Sequence, residues 1–153
     1  MGVKHALSLI RGKSIGRIIK TCCGEKIGSG SCRDVYAFKQ YPEYVIKIER
    51  DPSGGDFANV CEWKNWVNHR QWNLIGEWLA PCIAINETGQ VLVQRRVRPG
   101  RRKDYPKYIP VLLTDLKLEN FGWIGKKFVC CDYPMLIMPE PKKKMKYAKW
   151  WVR

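Results

Sequence analysis

Proline fixes φ and removes a backbone donor, and this chain places Pro99, Pro106 and Pro110 between Arg98 and Leu113, then Pro134, Pro139 and Pro141 after Tyr133. Neither stretch can hold a long regular helix, so the tail is expected to be loosely structured until Met145 to Trp151. From Phe57 to Trp78 there is no proline, and Val60, Trp63, Trp66 and Val67 recur at helical intervals. The spacing predicts a helix from about 57 to 69 and a second helical stretch before Pro81.

Strands are expected on either side of that helix. Val35, Ala37 and their neighbours Tyr36 and Phe38 alternate, and Tyr44, Val45, Ile46 and Ile48 form a β-branched run after the turn at Tyr41-Pro42, so residues 25–49 read as three strands. The composition of residues 51–55 is that of a loop. Residues 82–86 and 90–97 read as a hairpin around Glu87-Thr88-Gly89, and 121–124 with 127–131 as a smaller one around Gly125. Among the first 20 residues, Leu7, Ile10, Ile15, Ile18 and Ile19 make a weakly amphipathic pattern interrupted by Gly12 and Gly16. A short helix or an irregular lead-in, packed on its own domain, is expected there. The fold class is α+β: an antiparallel sheet of about five strands with one main helix.

A chain of 153 residues suits one compact domain, and neither an internal repeat nor a linker divides it. No run of roughly 18 apolar residues is present to span a bilayer, and the start lacks a signal-peptide core. Met1-Gly2 opens like a myristoylation signal, but Ala6 stands where that signal has Ser or Thr. Seven cysteines include the adjacent pairs Cys22-Cys23 and Cys130-Cys131 without C-x-x-C spacing, which points away from zinc and toward a reducing compartment. The expected setting is the cytoplasm, with no membrane partner. Lys and Arg number 28 against 14 Asp and Glu, a net charge of +14. Such a surplus attracts phosphate polymers or acidic proteins. Its denser groups are Arg95, Arg96, Arg98, Arg101, Arg102 and Lys103, and Lys142, Lys143 and Lys144, which form either a nucleic-acid surface or a solvated basic face.

Four segments carry candidate chemistry. Gly28-Ser29-Gly30 precedes Val35-Tyr36; Lys47 interrupts an apolar strand; Glu62 follows it by fifteen positions on the predicted helix. Asp115, Lys117 and Asn120 share one hexapeptide, and Asp132 follows Asn120 by twelve positions. In this order they resemble the glycine-rich loop, the strand lysine with its helix glutamate, the D-L-x-x-x-N catalytic loop and the metal-binding aspartate of protein kinases. The resemblance covers residues 25 to 133. It implies that Gly28, Ser29, Gly30, Val35 and Lys47 bind ATP and that Glu62 pairs with Lys47. It further implies that Asp115 accepts the substrate proton, that Lys117 contacts the transferred phosphoryl group, and that Asn120 and Asp132 hold Mg²⁺.

The chain departs from the family in several places. Arg33 replaces the third glycine, either facing water or lending charge to phosphate, and Leu113-Thr114 replace His-Arg ahead of Asp115. Asp132-Tyr133-Pro134 stands for D-F-G, so a mobile switch there is not expected. Only seventeen positions separate Arg98 from Asp115, and 21 residues follow Asp132. The resemblance therefore implies a lead-in at 1–20, a kinase-like N-lobe at 25–97, a catalytic segment at 98–133 standing for a severely abbreviated C-lobe, and a basic tail at 134–153. This is similar to very short kinase-like proteins of tailed bacteriophages.

What it implies is a minimal Ser/Thr kinase acting on a host protein in the host cytoplasm. The alternative is a catalytically silent kinase-like protein that binds and inhibits a host protein or nucleic-acid machinery. Trp150 and Trp151, beside Lys146 and Lys149, either stack on a base or partner or pack on the domain. His5 and His69 have no partner pattern.

Overall fold

The β-branched run at Tyr44 becomes the middle strand of a five-stranded sheet. A computed structural model describes residues 1–50, 57–71, 75–136 and 144–151. The strands β1 (Cys23–Ser29), β2 (Arg33–Phe38), β3 (Tyr44–Glu49), β4 (Cys82–Ile85) and β5 (Val91–Arg95) are antiparallel in the order β1-β2-β3-β5-β4. Every residue of β3 is buried, because both faces of the sheet are covered.

On one face Tyr44, Ile46, Ile48, Val91 and Val93 pack against Ala6 and Ile10 of helix α1 (Val3–Ile10) and Ile18 and Cys22 of helix α2 (Ile15–Cys22). The expectation of one main helix is corrected here: the lead-in, expected as a short helix or irregular segment packed on the domain, holds two helices that close the sheet. Gly12, at φ 64°, turns the chain between them, and the Ser14 hydroxyl caps α2 by accepting from the Arg17 N–H at 3.4 Å.

Helix α3 (Ala58–His69) lies on the opposite face, within a residue of its predicted span. Among the described residues the second helical stretch is a 3₁₀ turn, Gly76–Trp78. A Cβ at Gly76 would stand 2.5 Å from the His69 carbonyl oxygen, so only glycine lets the chain fold back so closely on the end of α3. A second apolar cluster, including Leu92, Leu79, Ile109, Leu113, Phe121 and Tyr133, joins this face to the rest of the chain.

The prolines confine that rest to short pieces. Strands β6 (Tyr108–Pro110) and β9 (Met145–Tyr147) pair with each other, and β7 (Phe121–Ile124) forms a hairpin with β8 (Lys127–Cys130) through Gly125 at φ 59°. Trp150 is buried, donates Nε1–H to the Pro106 carbonyl at 3.0 Å and meets Tyr105, Phe121 and Phe128 edge-on. Domain packing, not display, is its role. The expected loop at 51–55, Trp72, Pro139, Pro141, Lys142 and Lys143 lie outside the described residues. Among those described, no helix is long and apolar enough to cross a membrane.

Ile18 is fully buried between α2 and the sheet. Truncation to alanine removes methylenes from a packed site, so Ile18→Ala is expected to cost about 2–5 kcal/mol in urea unfolding. A loss below about 0.5 kcal/mol, as at ordinary surface positions, would show that the N-terminal helices do not close the core.

Candidate active site

Cross-strand register sets the site. Gly28 lies opposite Val35, Val35 opposite Lys47, and Lys47 opposite Leu92, so these positions form one row across β1, β2, β3 and β5. Side chains along such a row share a face, here the face that carries α3. Lys47 is therefore a buried residue of the middle strand. Its ammonium donates to both carboxylate oxygens of Glu62, at 2.9 and 3.0 Å, and to the Cys131 carbonyl. Glu62 is fully buried on α3, whereas Glu77, the other helical glutamate, is exposed.

Arg33 overturns its expectation of facing water or phosphate. Its side chain is buried, and its guanidinium bridges Glu62 and Asp132, at 2.5 Å each, while donating to the Asn59 side-chain oxygen at 3.0 Å. Gln94 adds a further donor to Glu62 at 3.0 Å. Glu49, cross-strand partner of Arg33, accepts the Asn59 backbone N–H at 2.6 Å in the first turn of α3, where a carboxylate also complements the helix dipole. Two buried cations thus hold β2, β3, α3 and the segment after β8 together.

Asp115, Lys117 and Asn120 converge within one loop that ends in a 3₁₀ turn at Leu118–Asn120. The Asn120 amide donates to the Asp115 carboxylate at 2.9 Å, and the Lys117 ammonium lies 3.4 Å from the same oxygen. A Cys131 N–H to Asn120 carbonyl bond of 2.7 Å ties this loop to the residue before Asp132. Asp115 and Asp132 line one cavity of about 90 Å³, whose wall also includes Thr114, Leu113, Tyr133 and Leu136. Tyr133 is anchored beneath it, donating its hydroxyl to the Ala80 carbonyl at 2.6 Å. With Pro134 next in the chain, Asp132 is held in a braced segment.

At the β1–β2 turn, the Gly30 N–H bonds to the Arg33 carbonyl at 2.9 Å and the Ser29 hydroxyl donates to Asp34 at 2.7 Å. The hydroxyl of Ser29 is thus engaged within the hairpin. Neither Gly28 nor Gly30 has positive φ, and an added Cβ would approach no atom closer than 3.6 Å. The hairpin itself has room for a side chain at both positions.

Burial acts to raise the Asp132 carboxyl's pKa, but the charges of Lys47 and Arg33 outweigh it and hold the group below its ordinary value. The opposite balance holds Arg33 above its own: burial lowers it, and Glu62 and Asp132 more than compensate. Asp132, its side chain 43 % exposed, is thus an anion at neutral pH. Burial pushes the Cys131 thiol up to about 12 and that of Cys130 well above its usual value, so neither is poised as a nucleophile. All seven cysteines are free thiols.

Among the described residues no cluster of three His, Cys, Asp or Glu makes a ready metal centre. Asp132 lines the cavity, while Asn120 is buried behind the cavity-lining Asp115, to which its amide donates; both carry hard oxygen donors. Two such donors suit a cation that keeps several water or phosphate ligands.

Comparison with family models, curated proteins and solved structures finds no match. The site is therefore read from its own geometry. That geometry brings Lys47 to Glu62, Asp115 to Lys117 and Asn120, and Asp132 to the cavity wall beside Asp115. It leaves the ammonium of Lys47 engaged by protein oxygens. Two members of the buried network, Asn59 and Gln94, have no part in the sequence-based expectations, and for a third, Arg33, the sequence points to water or phosphate and not to the network. Gln94 left a trace as a polar residue directly after the apolar run Val91 to Val93; Arg33 and Asn59 left none.

Replacing Arg33 by methionine keeps the length of the side chain but strips Glu62 and Asp132 of a partner. Breaking a buried ion pair on one side costs about 3–5 kcal/mol, so Arg33→Met is expected to lower urea stability by that order. A solvent-facing arginine would give a change within about 0.5 kcal/mol, which would dissolve the network described here.

Proposed function

We propose that this chain is a Mg²⁺-dependent phosphotransferase that moves the γ-phosphoryl group of ATP to a Ser or Thr hydroxyl of a protein. In this reading residues 25–97 are a protein-kinase-like N-lobe and the remainder is a severely abbreviated C-lobe, as in a minimal phage kinase acting on a host protein in the host cytoplasm. The observation that carries it is the meeting of two sets of residues far apart in sequence. The Lys47–Glu62 pair, at 2.9 Å, is bonded through the Cys131 carbonyl to the same segment that brings Asp132 beside Asp115. Phosphoryl transfer asks a protein mainly for positioning and charge neutralisation, and this arrangement supplies both.

Lys47 would neutralise phosphate charge, with Glu62 fixing its ammonium in place. Gly28 and Gly30, which the hairpin does not require to be glycine, would leave the turn backbone open to close approach by phosphate oxygens. Asp115, oriented by the Asn120 amide, would accept the proton of the attacking hydroxyl. The hydroxyl oxygen forms a bond to the γ-phosphorus as the bond from that phosphorus to the β–γ bridging oxygen breaks, and ADP leaves. Lys117, 3.4 Å from Asp115, would lie near the transferred group. Asn120, through its amide oxygen, and Asp132 would hold Mg²⁺, which supplies positive charge to the phosphate oxygens when bound.

One observation favours a second reading, a silent kinase-like protein that binds and inhibits a host partner. The Lys47 ammonium already bonds three protein oxygens, and Arg33 already occupies Asp132. Incubation with γ-labelled ATP, Mg²⁺ and host lysate separates the two. Asp115→Asn keeps size while deleting the base, and is expected to lower transfer on the order of 10²-fold or more with ATP affinity retained. Asp132→Asn is expected to lower transfer and also the magnesium dependence of ATP binding. Label transfer that is absent from the wild type, or undiminished from the wild-type level in both variants, would leave the binding protein as the surviving account.

A further inference from the structure

The last described stretch of chain has two unlike faces. Beyond β9 the backbone stays extended: the Ala148 N–H bonds to the Lys107 carbonyl at 2.9 Å, the Trp151 N–H to the Leu116 carbonyl at 3.2 Å, and the Leu118 N–H to the Trp151 carbonyl at 3.0 Å. Period-two alternation follows. Ala148 and Trp150 turn into the core, while Met145, Tyr147, Lys149 and Trp151 stand outward. Tyr108 lies directly across from Tyr147, with the ring centroids 5.8 Å apart at 83°. The two tyrosines are 60 and 61 % exposed and Trp151 is 42 % exposed. At the far end the Lys117 ammonium sits 5.2 Å from the centre of the Trp151 ring.

We infer that this outward row is a binding track for single-stranded nucleic acid, with Tyr108, Tyr147 and Trp151 stacking on bases and Lys149 meeting phosphate. Three features of the row support that partner. It alternates ring, cation and ring along an extended chain. Residues two apart lie about 6.8 Å from each other, twice the ~3.4 Å rise per nucleotide in a stacked strand. Stacking platforms joined to cations are the general means of holding a single strand without reading its sequence. None of the outward residues, and none of residues 107–110 or 116–118 paired beside them, is acidic. Lysine is depleted from protein–protein contacts, so a lysine-bearing aromatic row fits a polyanion with flat faces better than a folded protein. The track meets the proposed phosphotransfer site at Lys117, but Tyr108, Tyr147 and Lys149 have no part in that site, so their variants test the track apart from it.

Fluorescence anisotropy of a labelled single-stranded oligonucleotide of about 12 residues, a length within the usual site sizes, tests this with the full chain. Binding at low salt is expected. Tyr147→Ala and Tyr108→Ala, both surface changes, should weaken it by roughly 5- to 100-fold each, the loss of one stacked base. Lys149→Ala should reduce the magnitude of the logarithmic salt slope by about 0.7, the release expected for one phosphate contact on a single strand. Absence of binding to RNA and DNA strands alike would overturn the proposal, as would equal binding of a duplex or unchanged affinity in both tyrosine variants. Polyglutamate that displaces the strand at equal charge concentration would also overturn it, marking the row as a surface for acidic proteins.

Discussion

Glu62 is a carboxylate without solvent exposure, and the structure is arranged around its charge. An isolated ion in such a place is costly; pairing with Lys47 and Arg33 and a further bond from Gln94 make it tolerable. Buried ion pairs of this kind contribute little net stability compared with apolar packing. Their consequence is geometric. Lys47 comes from β3, Arg33 from the start of β2 and Glu62 from α3, so satisfying one carboxylate fixes the helix against two strands. Because Arg33 also grips Asp132 and Lys47 also bonds the Cys131 carbonyl, the same charge positions the segment that follows β8.

From that anchor the cavity is reached in two steps. The Cys131 N–H holds the Asn120 carbonyl, and the Asn120 amide holds the Asp115 carboxylate. Tyr133, buried with its hydroxyl on the Ala80 carbonyl, anchors the Asp132 segment beside the start of β4. The proposed catalytic groups are thus tied to the proposed phosphate-binding lysine through one backbone hydrogen bond, between Cys131 and Asn120, flanked by side-chain bonds from Lys47 and Asn120. Preorganisation of this sort is what a reaction dominated by charge stabilisation requires. Much of that bracing comes from the sheet and α3, through Lys47, Arg33 and Glu62.

Much of this was legible in the chain, and the exceptions have physical causes. Strands β1 to β5, both hairpins and α3 follow from periodicity and glycine-bearing turns, which are local properties. Glu62 was identifiable only through the resemblance to protein kinases, since by itself a lysine at 47 reads as an edge-strand residue reaching solvent. The N-terminal helices were under-read because Gly12 and Gly16 break the pattern of an otherwise weak stripe. Their burial depends on a sheet face formed far downstream, by residues 44–48 and 91–93. Arg33 misled for a related reason. A long cationic side chain at a turn ordinarily snorkels to water, and only the nearness of Glu62 and Asp132, 29 and 99 positions away in sequence, draws it inward. The opposite fates of Trp150 and Trp151 follow from an extended backbone, once β6 is known to pair with the tail.

If the network around Glu62 exists to present Lys47 to phosphate, its most direct test is calorimetric titration of the full chain with ATP, with and without Mg²⁺, beside Lys47→Met. The account predicts saturable, magnesium-dependent binding that falls by about tenfold or more in the variant, since a charge-assisted bond in a partly dry site is worth roughly 1.5–3 kcal/mol. No heat in the wild type, or equal affinity in wild type and a folded Lys47→Met, would contradict it.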